Sequence, residues 1–182
     1  MAVTPRTAGY YSVDYFQMSH AGLILTMILM FIGGTSGSTA GGLKTTTFGV
    51  LLLKVNSIFK GRSHAEFSNR TIKDDVVNRA MTLFFITLTL CIFATMVLSV
   101  TETIPNVDQL GLEYIAFEVV SAFGTVGLTM GITPDLTIVG KLIIISLMFI
   151  GRVGIMTVVF SLVRRPEKEG NFKYPDESVM IG

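Results

Sequence analysis

Residues 112–128 read LEYIAFEVVSAFGTVGL, a short apolar stretch followed by a Thr-Val-Gly tripeptide. The apolar part, 112–123, predicts a helix of about 18 Å, which is too short to cross a bilayer core of roughly 30 Å. Glycine at position 127 permits backbone angles that a side chain disfavours. The stretch therefore predicts a re-entrant helix that ends in an irregular loop.

Two long apolar stretches flank this segment. Residues 81–100 carry no charge over twenty positions, and a spanning helix is predicted over about 77–100. After a polar bend at 133–135, a second helix is predicted to descend to Val163, with Arg152 the only charge within 142–163. Irregular backbone at membrane depth is tolerated only where it is buried in protein or lines a cavity. This arrangement predicts a pore loop between two spans.

The composition supports a membrane location. Half of the 182 residues are hydrophobic, the mean hydropathy is +0.63, and only 15% are charged. A third apolar stretch, 21–53, has Lys44 as its only charge. A buried core helix of a soluble protein is the competing interpretation of any one stretch, but three of this length together favour spans. We therefore predict an all-α membrane protein.

The basic residues predict its orientation. Of the fourteen Lys and Arg, six fall within 54–79 and four within 164–173, whereas none falls within 101–111. By the positive-inside rule, the first two segments face the cytoplasm and the third lies outside. We expect a multi-pass protein of the cell membrane with a cytoplasmic C-terminus.

The sequence repeats itself with an offset of 118 residues. Laying 7–33 over 125–151 gives identity at eight of 27 positions, among them the Thr-x-Gly elements and the pentapeptide LMFIG. Two copies of one structural unit explain this better than chance does. At 118 residues per unit, a fourfold pore needs about 470 residues in one chain. We expect this chain to hold the last one and a half units.

The repeat defines four predicted regions. Residues 1–54 hold the pore loop and broken inner helix of the third unit, and 55–76 form a cytoplasmic loop. Residues 77–163 form a complete fourth helix–pore loop–helix unit, and 164–182 form a cytoplasmic tail.

The two Thr-x-Gly loops predict an ion filter. Thr-Val-Gly matches the core of potassium filters, where successive carbonyls replace the hydration shell of K⁺. The C-terminal end of the preceding helix is negative and points toward the cation. The competing interpretation is that Thr-x-Gly is a common loop tripeptide. The predicted filter residues are Thr7, Ala8, Gly9, Tyr10, Thr125, Val126, Gly127 and Leu128.

Residues 33–47, GGTSGSTAGGLKTTT, predict a break in the first helix. A phosphate-binding loop is disfavoured, because Leu43 stands between Gly42 and Lys44 and no strand precedes the segment. Packing of small residues against a neighbouring helix is an alternative for part of it. Freed backbone groups inside a membrane need polar partners.

Arg152 is the predicted partner of this break, since Gly34 occupies the equivalent position of the other copy. Arg152 lies 17 residues after Asp135 and 12 before Arg164, about 26 and 18 Å along a helix. That depth is near mid-membrane, where an arginine is costly unless its donors are satisfied. Snorkelling to one interface is the alternative.

Four stretches together resemble the Trk/Ktr/HKT superfamily of potassium transporters, most closely the bacterial Ktr-type membrane subunit. They are VTPRTAGY at 3–10, MFIGGTSGSTAGGLKTTTFGVLLLK at 30–54, SAFGTVGL at 121–128 and MFIGRVGIMT at 148–157.

The resemblance implies a single pore built from four units of one chain, the missing N-terminal units included. It also implies a homodimer, a cytosolic nucleotide-binding regulatory ring, and sodium as a possible activator. K⁺ is the implied substrate, and no bound cofactor or nucleic acid is expected. The implied gate residues are Gly33, Gly34, Thr35, Ser36, Gly37, Ser38, Thr39, Ala40, Gly41, Gly42, Lys44 and Arg152.

Gated potassium uptake is therefore the predicted function. The alternative is a non-conducting fragment with an assembly or dimerisation role. An enzyme is not expected, because His20 and His64 are predicted on opposite sides of the membrane, and Glu113 and Glu118 do not share a helix face well.

Overall fold

The computed structural model describes residues 3–11, 15, 18–62, 64–67, 70–102 and 111–154. This part of the chain is mostly helical. Its elements are α1 (His20–Phe31), α2 (Thr45–Phe59), β1 (Glu66–Phe67), β2 (Arg70–Thr71), α3 (Asp74–Thr101), α4 (Leu112–Gly124) and α5 (Ile138–Val153). The two strands form a small antiparallel hairpin, and a 3-10 turn (Thr133–Asp135) precedes α5. Residues 103–110, within the segment predicted to lie outside the membrane, and the predicted tail at 164–182 are not among the described residues.

Helix α3 has the length and composition of a membrane span. It is 28 residues long, about 42 Å by helical rise. No other helix in the described ranges is both long enough and apolar enough to cross a membrane. Its outward face is apolar, with Phe85, Ile92, Phe93 and Met96 all exposed. Exposed apolar side chains in such numbers indicate that lipid or further protein surrounds the helix. A long apolar helix over the predicted 77–100 is confirmed, and its role as a membrane span stays a prediction.

The other two apolar stretches differ from simple spans. Residues 21–53 form two helices, because α1 ends at Phe31 and α2 begins only at Thr45, as the break predicted. The helix predicted to reach Val163 ends at Val153 instead, which corrects that expectation. Gly154 has a φ of 90°, outside the helical region, and the residues after it lie outside the described part.

The short helix α4 lies at the centre of the bundle. It packs against α1, α3 and α5, and its residues Phe117, Val119, Ala122 and Phe123 are almost completely buried. Its 13 residues span about 20 Å, close to the predicted 112–123. A helix buried on so many sides forms the support on which the loop that follows it rests.

Helices α1 and α5 begin 118 residues apart and are capped alike. The Ser19 side chain accepts from the Gly22 backbone N–H, and the Thr137 side chain accepts from that of Gly140. Such caps satisfy donors that the first helical turn leaves free. The buried Glu102 also accepts two hydrogen bonds from Thr137, joining the end of α3 to the start of α5.

Candidate functional site: the two Thr-x-Gly loops and the interhelix loop

The second Thr-x-Gly loop, residues 125–128, leaves α4 by a sharp change of backbone direction. Thr125 caps the helix with a φ of 51°, and the Val126 N–H donates to the Ser121 carbonyl at 3.0 Å. Gly127 then takes a φ of 85°, in the left-handed region that favours glycine. The loop therefore starts at the negative end of α4, where the helix dipole favours a cation.

Ser121 engages the last carbonyl of this loop. Its hydroxyl donates to the Leu128 carbonyl oxygen at 2.5 Å, and the Leu128 side chain is only 1% exposed. This carbonyl therefore points back toward α4. The predicted role of Leu128 in the filter stays a prediction, and its carbonyl has in addition a hydrogen bond that holds the loop on the helix.

The first Thr-x-Gly loop, residues 7–10, lies against the second. Thr7 and Gly9 have φ values of 70° and 71°, which match the left-handed angles of Thr125 and Gly127. A Cβ built on Gly9 would lie 2.6 Å from the Val126 carbonyl oxygen. Only glycine permits this approach, so the two predicted filter loops are brought together as neighbours. Ala8 and Tyr10 have exposed side chains.

The interhelix loop, residues 32–44, closes on itself at its two ends. Ile32 and Leu43 form a parallel bridge, in which the Gly33 N–H donates to the Leu43 carbonyl at 2.7 Å and the Leu43 N–H donates to the Phe31 carbonyl at 3.0 Å. The Thr45 N–H donates to the Gly34 carbonyl at 3.1 Å. Backbone groups freed where α1 ends are thus paired within the loop, as a buried break requires.

Two cationic side chains satisfy further carbonyls of the interhelix loop. Lys44 Nζ donates to the Ala40 carbonyl at 2.6 Å and to the Ser38 carbonyl at 3.0 Å. Arg6, next to the first Thr-x-Gly loop, donates to the Gly33 carbonyl at 3.3 Å. Sequence reasoning placed Lys44 in this region but missed Arg6. Its positive charge directly before the predicted pore loop is the signal from which its role could have been predicted.

The buried ends of the interhelix loop pack on the second Thr-x-Gly loop. The Gly41 N–H donates to Thr125 Oγ1 at 3.2 Å, and a Cβ on Gly41 would lie 2.9 Å from the Gly124 carbonyl oxygen. The tip of the loop, residues 35–39, is exposed, whereas Gly33, Ala40 and Gly41 are buried. The interhelix loop therefore lies directly against the end of α4 and the first residue of the predicted filter.

Arg152 lies near the interhelix loop. It lines a cavity of about 260 Å³ together with Gly42, Leu43 and Lys44. Within the described ranges its exposed side chain donates no hydrogen bond to the loop. Lys44 and Arg6 donate to the loop carbonyls instead, as was predicted for Arg152. The adjacent Gly151 packs closely on α4, since a Cβ there would lie 1.9 Å from the Phe123 carbonyl oxygen.

The two glutamates of α4 have different partners and do not form a carboxylate pair with each other. Glu113 contacts His20 at 3.0 Å at the ends of α4 and α1. Glu118 is 6% exposed, accepts a hydrogen bond from Thr133, and has a second oxygen with no partner in the described part of the chain. The sequence analysis did not predict that Glu118 is buried and bonded to Thr133.

Residues 1–174 match the TrkH family, described as cation transport proteins. The potassium/sodium uptake protein NtpJ of Enterococcus hirae is 71% identical over 183 residues, which cover 100% of this chain and 40% of that protein. The Ktr system potassium uptake protein B of Bacillus subtilis is 43% identical over 181 residues, covering 100% of this chain and 39% of its own. The protein of the same name in Vibrio alginolyticus is 34% identical, with 100% and 38% covered. The chain thus spans about two fifths of the length of these curated relatives.

Proposed function

This chain belongs to the TrkH family of cation transport proteins, and on that basis we propose that it forms part of a gated, potassium-selective uptake pore. Like the relatives named above, it is a membrane transport protein and not an enzyme. The observation that carries the proposal is the approach of Gly9 to the Val126 carbonyl. It brings two loops of one kind side by side, at the end of a re-entrant-length helix.

In this proposal the carbonyls of the two Thr-x-Gly loops coordinate K⁺. Thr7, Ala8, Gly9 and Tyr10 belong to one loop and Thr125, Val126 and Gly127 to the other. Glycine at two positions allows the backbone to turn its carbonyls toward the ion. Leu128 completes the second loop, and the hydrogen bond from Ser121 to its carbonyl also holds that loop on α4.

The interhelix loop is the proposed gate. It is anchored at both ends and carries an exposed tip, and Lys44 and Arg152 line a cavity at its C-terminal side. Two positive charges beside the path of a cation repel it, and the repulsion is strong where water is scarce. Arg152 therefore acts in this proposal through its charge, while Lys44 both repels the cation and holds the loop.

Membership of the TrkH family also supports proposals about the other segments of the chain and about its partners. We propose that 1–54 and 77–163 form the pore elements and that 55–76 and 164–182 face the cytoplasm. Further units of the subunit, a second copy of it and a cytosolic nucleotide-binding ring are the proposed partners. Sodium is the proposed activator, which the potassium/sodium name of one relative supports.

A matched pair of glycine substitutions tests the proposal. Gly127 and Gly49 both have free space where a Cβ would lie, but only Gly127 has a positive φ. In a full-length subunit that carries this sequence, Gly127→Ser should lower the preference for potassium over sodium, because strain displaces the carbonyl that this loop contributes to a ring. Gly49→Ser should leave it unchanged.

Uptake of both ions should be measured in a host that lacks its own potassium uptake. An unaltered ion ratio in Gly127→Ser, at normal surface abundance, would contradict the filter. Absence of any uptake by the unsubstituted protein would favour the assembly role.

A further inference from the structure

The two threonines at equivalent positions of the repeat have different partners. Thr7 Oγ1 donates to the carbonyl of its own neighbour, Arg6, at 2.6 Å. Thr125 Oγ1 instead accepts from the Gly41 N–H, 84 residues away, at 3.2 Å. Both threonines have a positive φ, so the backbone of the two loops does not account for the difference.

We propose that the Thr125 hydroxyl is a latch that seats the interhelix loop against the inner end of the filter. The proposal rests on the gate described above and adds the contact that couples it to the ion path. Thr125 would be a positioning residue for the gate, a role that Thr7 lacks.

Close packing makes this contact specific to Gly41. A Cβ there would lie 2.5 Å from Thr125 Oγ1, and Gly41 is buried. Only a glycine brings its N–H this near to the hydroxyl while the neighbouring Gly124 carbonyl is also in contact. A buried amide that loses its acceptor is destabilised, so the loop has a defined resting position on Thr125.

The latch hydroxyl belongs to a residue whose carbonyl lies in the proposed ion path. A hydroxyl oxygen has two lone pairs, and the Gly41 N–H occupies one of them. When the loop moves away, that lone pair becomes available at the inner end of the filter. The position of the gate and the environment of an ion beside Thr125 are therefore linked.

Three substitutions in the full-length subunit test the latch. Thr125→Val keeps the shape and the β-branch but removes the acceptor, so the maximal uptake rate per surface subunit should rise about two- to tenfold, the range that one hydrogen bond implies. Thr125→Ser retains the acceptor, so its rate should stay below that of Thr125→Val. Thr82→Val, which removes an exposed hydroxyl that bonds only within α3, is the control and should leave the rate unchanged.

A labelling measurement reports the loop without relying on transport. Ala40 is buried at 4% exposure, so a cysteine placed there should react slowly with a small thiol reagent. In a Cys91→Ala background, Thr125→Val should accelerate labelling of Ala40→Cys several-fold, and Thr7→Val should not. Equal acceleration by both threonine changes, or by neither, would overturn the latch.

Deletion of the exposed tip, residues 35–39, separates the two proposals. A faster rate on deletion, with no change in Thr125→Val, would overturn the latch and leave the gate intact. An unchanged rate on deletion would contradict the gate itself. If both proposals are correct, the deletion combined with Thr125→Val should raise the uptake rate no more than the deletion alone, because the latch acts only through the loop.

Discussion

The pentapeptide LMFIG occurs in two places of this chain, where it has different structures. In the first half α1 ends at Phe31, before Ile32 and Gly33, whereas in the second half α5 continues through Gly151 to Val153. Both glycines are sites of very close approach. The Cβ of an alanine would lie 1.9 Å from the Gly41 carbonyl oxygen at Gly33 and 1.9 Å from the Phe123 carbonyl oxygen at Gly151.

The difference lies in what each glycine contacts. Gly33 packs on the loop that follows it in the chain, whereas Gly151 packs on the buried end of α4. A helix can end where other groups replace its hydrogen bonds, and the Leu43 N–H does so at the Phe31 carbonyl in the first half. One half therefore has a loop, which is the proposed gate, and the other has a direct contact between two helices.

Substituting the two glycines should separate these roles most strongly. Gly151→Ala forces α5 away from backbone atoms of α4 and should lower stability by about 1–3 kcal/mol, with poor recovery of folded protein. Gly33→Ala would place its Cβ equally close to a carbonyl oxygen of the loop. A loop can shift more easily than a packed helix, so stability should fall less, and the uptake rate should rise.

Thermal unfolding in detergent checks both changes, with Gly49→Ala as the control. Gly49 has nothing within 4 Å of a new Cβ and lies in α2, so its replacement should be neutral or slightly stabilising. Equal losses of stability at Gly33 and Gly151 would contradict the contrast between a contact with a loop and a contact between two helices.

Lys44→Met tests the loop side of the comparison. It removes the ammonium that holds two loop carbonyls, and charge-assisted bonds contribute about 1.5–3 kcal/mol each. Since 1.4 kcal/mol is about tenfold in a population, loss of even one of these bonds should raise the maximal uptake rate at least about tenfold. Lys60→Met, at an exposed position at the end of α2, is the control and should change little. A fall in the rate at full surface abundance would argue that Lys44 assists conduction.

Arg152 gives the smallest expected effect, because within the described residues it reaches the loop region only as a charge beside the cavity. Arg152→Ala and Arg152→Gln should raise the uptake rate alike, by a few-fold, and Arg152→Lys should stay near the original rate. If the guanidinium formed hydrogen bonds to the loop, Arg152→Lys would move toward Arg152→Ala, since an ammonium lacks the planar fork. Surface abundance must be measured for each variant.

The sequence predicted the elements whose cause is local. An uncharged run of twenty residues gives α3, and a twelve-residue apolar run before Thr-Val-Gly gives α4. The Gly/Ser/Thr stretch after Gly33 disfavours helix continuation and correctly placed the break. The end of α5 at Val153 was missed, because an apolar pattern continues past Gly154 and nothing local marks the positive φ there.

By itself, then, the sequence determined the order of helices, the break between α1 and α2, and the pairing of the two Thr-x-Gly loops through their repeat. Only the tertiary structure decided which polar groups meet. It assigned the loop carbonyls to Lys44 and Arg6, the Leu128 carbonyl to Ser121, and the Gly41 amide to Thr125. The physical reason is range: helix and break follow from neighbouring residues, whereas a hydrogen bond between groups 84 residues apart depends on how closely the packed backbones approach.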